Sequence, residues 1–231
     1  MKMKKILFTL AALLSLAACH SNQPTEAEAK VEKTRTEIPA DSIIQLTAPD
    51  MTLDVSMMQA FSDRKSQREF GEQQLSLEEL STLLWAANGI NREDGRRTAP
   101  SAVNAQDIDI YVCMSNGAYL YDAKQQQLTR ITSEDLRSAV SAQQQMDAPL
   151  FLVLVADLSR YPEGLASQRQ LVESFACMDA GYVSGNIGLY CAAAQLATVP
   201  RASMDKEALA KALNLTDSQI LVLNNPVGYM K

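Results

Sequence analysis

Apolar and polar positions divide the chain into an apolar leader, a polar stretch, and a long segment in which helical and strand periods alternate. Ile6 to Leu14 is an apolar run, and Ser21 to Glu37 is polar, charged and without apolar period. The runs Ile43-Ile44-Gln45-Leu46 and Met51 to Val55 then lead to Ser56, which is placed to cap a short helix through Arg64 with Met58 and Phe61 facing inward. A second helix opens on a capping box, Ser76 followed three residues later by Glu79. Leu77, Leu80, Leu83, Leu84 and Ala87 recur at helical spacing, and the pattern stops at Asn88-Gly89.

From Ile108 the period changes to two. Ile108, Ile110, Val112 and Met114 fall on one face and Tyr111 and Cys113 on the other. Asn116-Gly117 signals a tight turn, and Ala118 to Tyr121 and Leu128 to Ile131 continue as short antiparallel strands. The uninterrupted run Leu150 to Ala156 predicts a strand covered on both faces, hence a central sheet with helices on each side. The longest helical pattern spans Ser167 to Leu196. In it Ala180, Ser184 and Gly188 share a face, with Gly181 and Gly185 beside them. Several small residues on one helix imply close backbone packing, either within the subunit or along a dimer seam. Lys206 to Leu213 is a helix that Asp205 can cap, and Gln219 to Leu223 is another buried strand.

Lys2, Lys4 and Lys5 precede the apolar leader, which closes on Leu16-Ala17-Ala18-Cys19. This is the pattern of a secretory signal, shorter than the roughly 18 residues of a spanning helix. Its ending resembles the lipobox of bacterial lipoproteins, with Cys19 as the lipidated residue. The expected organisation is a signal over residues 1–18, a lipidated N-terminus and tether over 19–39, and one folded domain over 40–231, exported and held on the periplasmic side of the cell envelope. The leader carries three of the 21 basic residues and none of the 27 acidic ones, so the remainder has a formal net charge of −9. Such a surface repels nucleic acid, and membrane contact rests on the lipid. The single histidine, His20, follows the lipidation site, which excludes an imidazole-based hydrolase and a histidine-zinc site inside the fold. Cys113, Cys177 and Cys191 lie in apolar runs and are expected in the core; no Cys-x-x-Cys is present.

The candidate chemistry begins at Arg64-Lys65-Ser66-Gln67-Arg68-Glu69-Phe70, where three cations and a hydroxyl stand within five residues. Forked guanidinium donors, an ammonium and an O–H can together satisfy a phosphate dianion; a solvated helix end is the plainer alternative. This stretch resembles the Arg-Arg-Ser-x-Arg-x-Phe opening of the FMN-dependent nitroreductase-like family. Arg97 to Gln106 resembles that family's Pro-Ser-(Ser/Ala)-x-Asn-x-Gln motif, and Leu-Leu-Trp-Ala-Ala-Asn-Gly-Ile at 83–90 is similar to the branch that includes the azoline-oxidase-type dehydrogenases.

The resemblance implies an α+β fold, a mostly antiparallel sheet flanked by helices, assembled as an intertwined homodimer. It places Arg64, Lys65, Ser66 and Arg68 at the FMN phosphate and ribityl chain. Pro100, Ser101, Ala102, Asn104 and Gln106 would line the cofactor from the second subunit. Ala202 and Ser203 align with the Glu-Gly pair that many members carry beside the flavin ring, leaving a backbone N–H to face N5. The implied activity is ping-pong transfer of a hydride or electrons between a small-molecule donor and acceptor, with no general acid or base assigned. Two departures stand out. Asp107 replaces the usual proline after Gln106, and after Gly228-Tyr229 only Lys231 remains of the usual basic residues. These motivate the alternative of a non-catalytic lipoprotein that retains the dimeric fold as a binding or structural module.

Overall fold

The computed structural model describes residues 35–142 and 144–231. The signal, Cys19, His20 and the tether as far as residue 34 lie outside the described residues. One seven-stranded sheet organises the rest, in the order β1-β4-β3-β2-β5-β7-β6. Its strands are β1 (Ile43–Gln45), β2 (Ile108–Met114), β3 (Gly117–Asp122), β4 (Gln127–Thr132), β5 (Leu150–Asp157), β6 (Leu196–Thr198) and β7 (Gln219–Tyr229), and every pairing is antiparallel.

The expected period of two in β2 is what the fold uses. Ile108, Ile110, Val112 and Met114 enter one core, with Leu80, Leu83 and Leu84 of α2 (Leu77–Asn88) and Val183 and Ile187 of the long helix α5 (Arg169–Ala193). Tyr111 and Cys113 enter the second core, across the sheet, with Val140 of α3 (Arg137–Ser141) and Leu209 of α6 (Lys206–Ala212). β5 is covered on both sides, and Leu150 to Ala156 are fully buried. A hairpin joins β2 to β3. Gly117 is required there because its φ is +138° and a Cβ would lie 2.3 Å from the Thr132 carbonyl oxygen.

Three helix starts are legible in the sequence and present in the fold. Ser56 caps α1 (Met57–Asp63), Asp205 caps α6, and Ser76 and Glu79 form a reciprocal capping box on α2. Glu79 accepts from the Ser76 N–H at 2.7 Å, and Ser76 Oγ accepts from the Glu79 N–H at 3.2 Å. α4 (Glu163–Ala166) is a single turn ahead of α5.

Several expectations are corrected. Met58 and Phe61 of α1 face outward, 75% and 52% exposed; the residue that α1 buries is Ala60, because a two-turn helix resting on α5 has room only for a small side chain at the contact. The long helix is shorter than its apolar pattern: it ends at Ala193, and Leu196 belongs to β6, after Gln195 turns the chain at φ +57°. β7 runs six residues past Leu223, through Asn224-Asn225-Pro226, which pair with Val153, Leu152 and Phe151 of β5. Cys113 and Cys191 are buried, but Cys177 is exposed on the outer face of α5.

The small residues of α5 divide. Ala180 and Ser184 pack inside the subunit, with Ser184 Oγ donating to Asn225 Oδ1 at 2.8 Å, whereas a Cβ on Gly181 or Gly185 would meet nothing within 4 Å. The chain also docks earlier than its polarity implies. The Leu77 N–H donates to the Thr36 carbonyl at 2.9 Å, and Arg35 pairs with Glu79 at 3.1 Å. Replacing Ser76 with alanine removes the reciprocal cap and should lower the unfolding free energy by about 1 kcal/mol. Urea unfolding with an unchanged m-value is the measurement that checks it.

Candidate functional site

The basic motif begins where α1 ends. Arg64 is its C-cap residue, and the chain then runs extended alongside β6, fixed by the Gln67 N–H donating to the Thr198 carbonyl at 2.9 Å. Phe70 buries its ring and bridges to Met230, and the Gly71 N–H donates to the Tyr229 carbonyl at 2.8 Å. Gly188 of α5 lies under the Arg64 stem, where an added Cβ would meet Arg64 Cγ at 3.8 Å. Arg64, Lys65, Ser66 and Arg68 are therefore held by their backbone while their side chains stand exposed, without a side-chain hydrogen bond or ion pair among the described residues. Gln67 points the other way: its Nε2 donates to Met230 Sδ at 3.5 Å, and its Oε1 is buried without a donor among the described residues.

The Gln67–Thr198 bond brings this motif to the corner that follows β6. There Arg201 is buried and pairs by its backbone with Asn224, at 2.8 and 2.7 Å. Its guanidinium donates to the Val140 and Ser141 carbonyls at 3.4 and 2.8 Å and to Ser203 Oγ at 3.1 Å. Arg201 thus satisfies the C-terminal carbonyls of α3, and burial lowers its pKa. Asn224 Nδ2 donates to the Ser203 carbonyl at 3.0 Å, so the corner is braced from within while Ala202 and Ser203 remain exposed.

The loop from Pro100 to Gln106 is built mainly on itself. Ser101 Oγ accepts from the Gln106 N–H at 2.9 Å, as a turn cap would. The Gln106 side chain accepts from Arg97 Nε at 3.1 Å and donates to the Gly95 carbonyl at 3.2 Å, and the backbone carbonyl of Gln106 accepts from Arg160 at 2.8 Å. Val103, Asn104 and Gln106 take positive φ values of 50°, 55° and 49°. Asn104 and Val103 are exposed, and Ala102 is anchored by its N–H to Asp179 Oδ2 of α5 at 2.9 Å. A cavity of about 420 Å³ opens beside the loop, lined by Arg97, Asn104, Gln106, Asp109, Tyr121 and Arg160. Arg160 closes on both carboxylate oxygens of Asp109 at 2.8 and 2.7 Å, and burial lowers the pKa of Arg97.

One chain therefore joins Arg64–Arg68 to the Ala202–Ser203 corner and holds Pro100–Gln106 apart from both. Gly188 under Arg64 and Asp179 under Ala102 are nine residues apart on α5, about 14 Å of helix. Sequence reasoning noted Asp107 only as a departure from the motif and missed Tyr161 and Asp179. An acidic residue in step with Val172, Ala176, Ala180 and Val183 was the available signal, because a charge on an apolar helical face is buried with the rest. Among the described residues no group of three or more His, Cys, Asp or Glu could hold a metal ion.

The Nitroreductase family model matches residues 61–229, which spans the basic motif, the Pro-Ser loop and the corner after β6. A nitroreductase homologue of Methanocaldococcus jannaschii is 26% identical over 196 residues, covering 80% of this chain and 96% of its own. The crystal structure of a nitroreductase homologue from Ralstonia eutropha JMP134 is 36% identical with a TM-score of 0.75, covering 85% of this chain and 94% of its own. The fold alone is shared with a chain of the Escherichia coli microcin synthetase McbBCD complex, 16% identical with a TM-score of 0.62, covering 96% of this chain and 85% of that one. The family as a whole generally binds flavin. By the match of the family model over most of its length, this chain belongs to the nitroreductase family.

Proposed function

We propose that this nitroreductase-family oxidoreductase is an FMN-dependent enzyme of the azoline-oxidase-like branch, exported and lipid-anchored through Cys19, that works as a homodimer on a small-molecule donor and acceptor. The observation that carries the cofactor reading is the charge at Arg64, Lys65 and Arg68. Three cations and the Ser66 hydroxyl are presented to solvent from one extended backbone, without an anionic partner among the described residues. Like charges held this close repel, and a phosphate dianion relieves that repulsion while using each donor. The donor set fits the phosphate end of FMN.

Arg64 and Arg68 would hold phosphate oxygens by forked hydrogen bonds, Lys65 by charge and Ser66 by its hydroxyl. Ala202 and Ser203 would offer their backbone to the ring, on a corner kept rigid by Arg201 and Asn224. FMN, when bound, supplies the redox chemistry by taking electrons from a donor and giving them to an acceptor in a second half-reaction. The protein's share is to bind, orient and exclude water.

The dimer reading is supported by surface that one subunit leaves apolar. Met57, Met58 and Phe61 of α1 are exposed, as are Met178 and Tyr182 beside the open Gly181 and Gly185 of α5. A second copy seated there would cover this face and could bring Pro100, Ser101, Ala102 and Asn104 to the basic motif. The export reading rests on the leader and the Leu-Ala-Ala-Cys ending.

Purified protein titrated with FMN should quench its fluorescence, elute at twice the subunit mass, and bind at least about tenfold more weakly when Arg64 and Arg68 are both changed to alanine. Absence of quenching in the parent protein overturns the FMN reading and favours the non-catalytic module. Expressed with its own leader, the protein should fractionate with the envelope membranes, and Cys19→Ala should release it to the soluble fraction; equal membrane retention of both forms overturns the anchor.

A further inference from the structure

Beneath the Pro100–Gln106 loop two carboxylates are buried together, and neither is ion-paired among the described residues. Asp107 is fully buried and neither of its oxygens has a hydrogen-bond partner among the described residues. Asp179 is 2% exposed, and its Oδ2 accepts from the Ala102 N–H at 2.9 Å and from the Tyr161 hydroxyl at 3.3 Å. The two line one void of about 10 Å³, together with Asn88, Arg97, Ser101 and Gln106. That is at the lower limit of space for a single water.

The surrounding charges are committed elsewhere. Arg97 donates to Gln106 Oε1 and to the Asn88 carbonyl. Arg160 pairs with Asp109 and Asp157 and donates to the Gln106 carbonyl. Tyr161 is a donor, not a cation, and burial with the two aspartates raises its pKa. Two anions side by side in this setting would each pay desolvation and repel the other, which a proton on one of them removes.

We propose that Asp107 and Asp179 share one proton and act as a positioning pair for the flavin-facing loop, the protonated Asp107 leaving Asp179 a single anion on which the Ala102 N–H is fixed. Burial first, and then the charge of Asp179, push Asp107 up to about 7. The loop needs such an anchor. Val103 sits at φ 50° and ψ 21°, a left-handed conformation that a β-branched residue adopts only when its surroundings impose it. Ser101 and Gln106 close the far side of the turn, and the bond from Ala102 to Asp179 ties its near side to α5. The pair's bearing on cofactor binding rests on the FMN reading; its existence does not.

Ionisation of Asp107 puts a second negative charge against Asp179 and loosens the Ala102 anchor. The folded protein keeps a proton that the unfolded chain gives up near the ordinary aspartate value of 3.8, so stability falls as pH rises from there to about 7 and is level above it. Asp107→Asn, a neutral isostere that still donates toward Asp179, should remove this fall. Denaturant unfolding of the flavin-free protein from about pH 5 to 8.5 reads it directly.

In the same range the Ala102 amide of the parent protein, corrected for intrinsic exchange, should lose about tenfold of its hydrogen-exchange protection, and in Asp107→Asn it should keep it. FMN affinity should weaken about tenfold over that range in the parent protein and stay level in the variant. The same pH slope in both proteins overturns the pair. Should Asp107→Asn not fold, the infrared carbonyl band of a protonated carboxylic acid, expected in the parent protein at about pH 6 and gone by about pH 8.5, decides the matter; no such band at pH 6 overturns the proposal. A protein that binds no FMN at any pH refutes the cofactor reading, while the stability and exchange measurements still decide the acid pair.

Discussion

Burial of β2 and β5 on both faces is the constraint to which the rest of the subunit answers. A strand covered by helices on each side can carry no solvated side chain, so Leu150 to Ala156 are apolar without exception and polar chemistry moves to where the strands end. The basic motif, the corner after β6 and the Pro-Ser loop all lie at such places. A sheet in which every strand is antiparallel to its neighbours returns the chain to these ends repeatedly, which is why residues over a hundred positions apart, Gln67 and Thr198 among them, meet there.

The long helix α5 distributes the site. Along one helix, Asp179 holds the backbone of Ala102, Ser184 bonds Asn225 of β7, and Gly188 lies under the Arg64 stem. The first two demand an anion and a small hydroxyl, while at Gly188 a Cβ would stand 3.8 Å from the Arg64 stem, an ordinary contact. A helix meeting the first two cannot also be uniformly apolar. Its outer face keeps Gly181 and Gly185 bare, at the usual cost of glycine in a helix, about 1 kcal/mol each relative to alanine.

What the sequence made legible was whatever repeats with the period of one element. The alternation in β2, the unbroken run of β5 and the Ser76–Glu79 box each announce a strand or a helix start without reference to anything distant. The failures share a cause. Met58 and Phe61 read as inward-facing because a two-turn helix offers too few residues to tell one face from another. The extension of β7 through Asn224-Asn225-Pro226 goes unread because β5, which holds it, comes from elsewhere in the chain. The candidate motifs were legible as residue types, but that Gln106 would be turned toward Arg97, and that Asp107 would lie against Asp179, depends on tertiary contacts that no local pattern encodes.

The first described residue is already engaged. Arg35 lies over the ring of Tyr229, and both it and the Tyr229 hydroxyl bond to Glu79, the residue that closes the cap of α2. Burial and Glu79 push Tyr229 up to about 12, so the hydroxyl stays a donor throughout the physiological range. The next element along the chain, β1, is a three-residue edge strand that would peel from β4 one hydrogen bond at a time under tension. The cluster therefore ties the start of the described domain to the cap of α2 and to the C-terminal strand β7 at a single point.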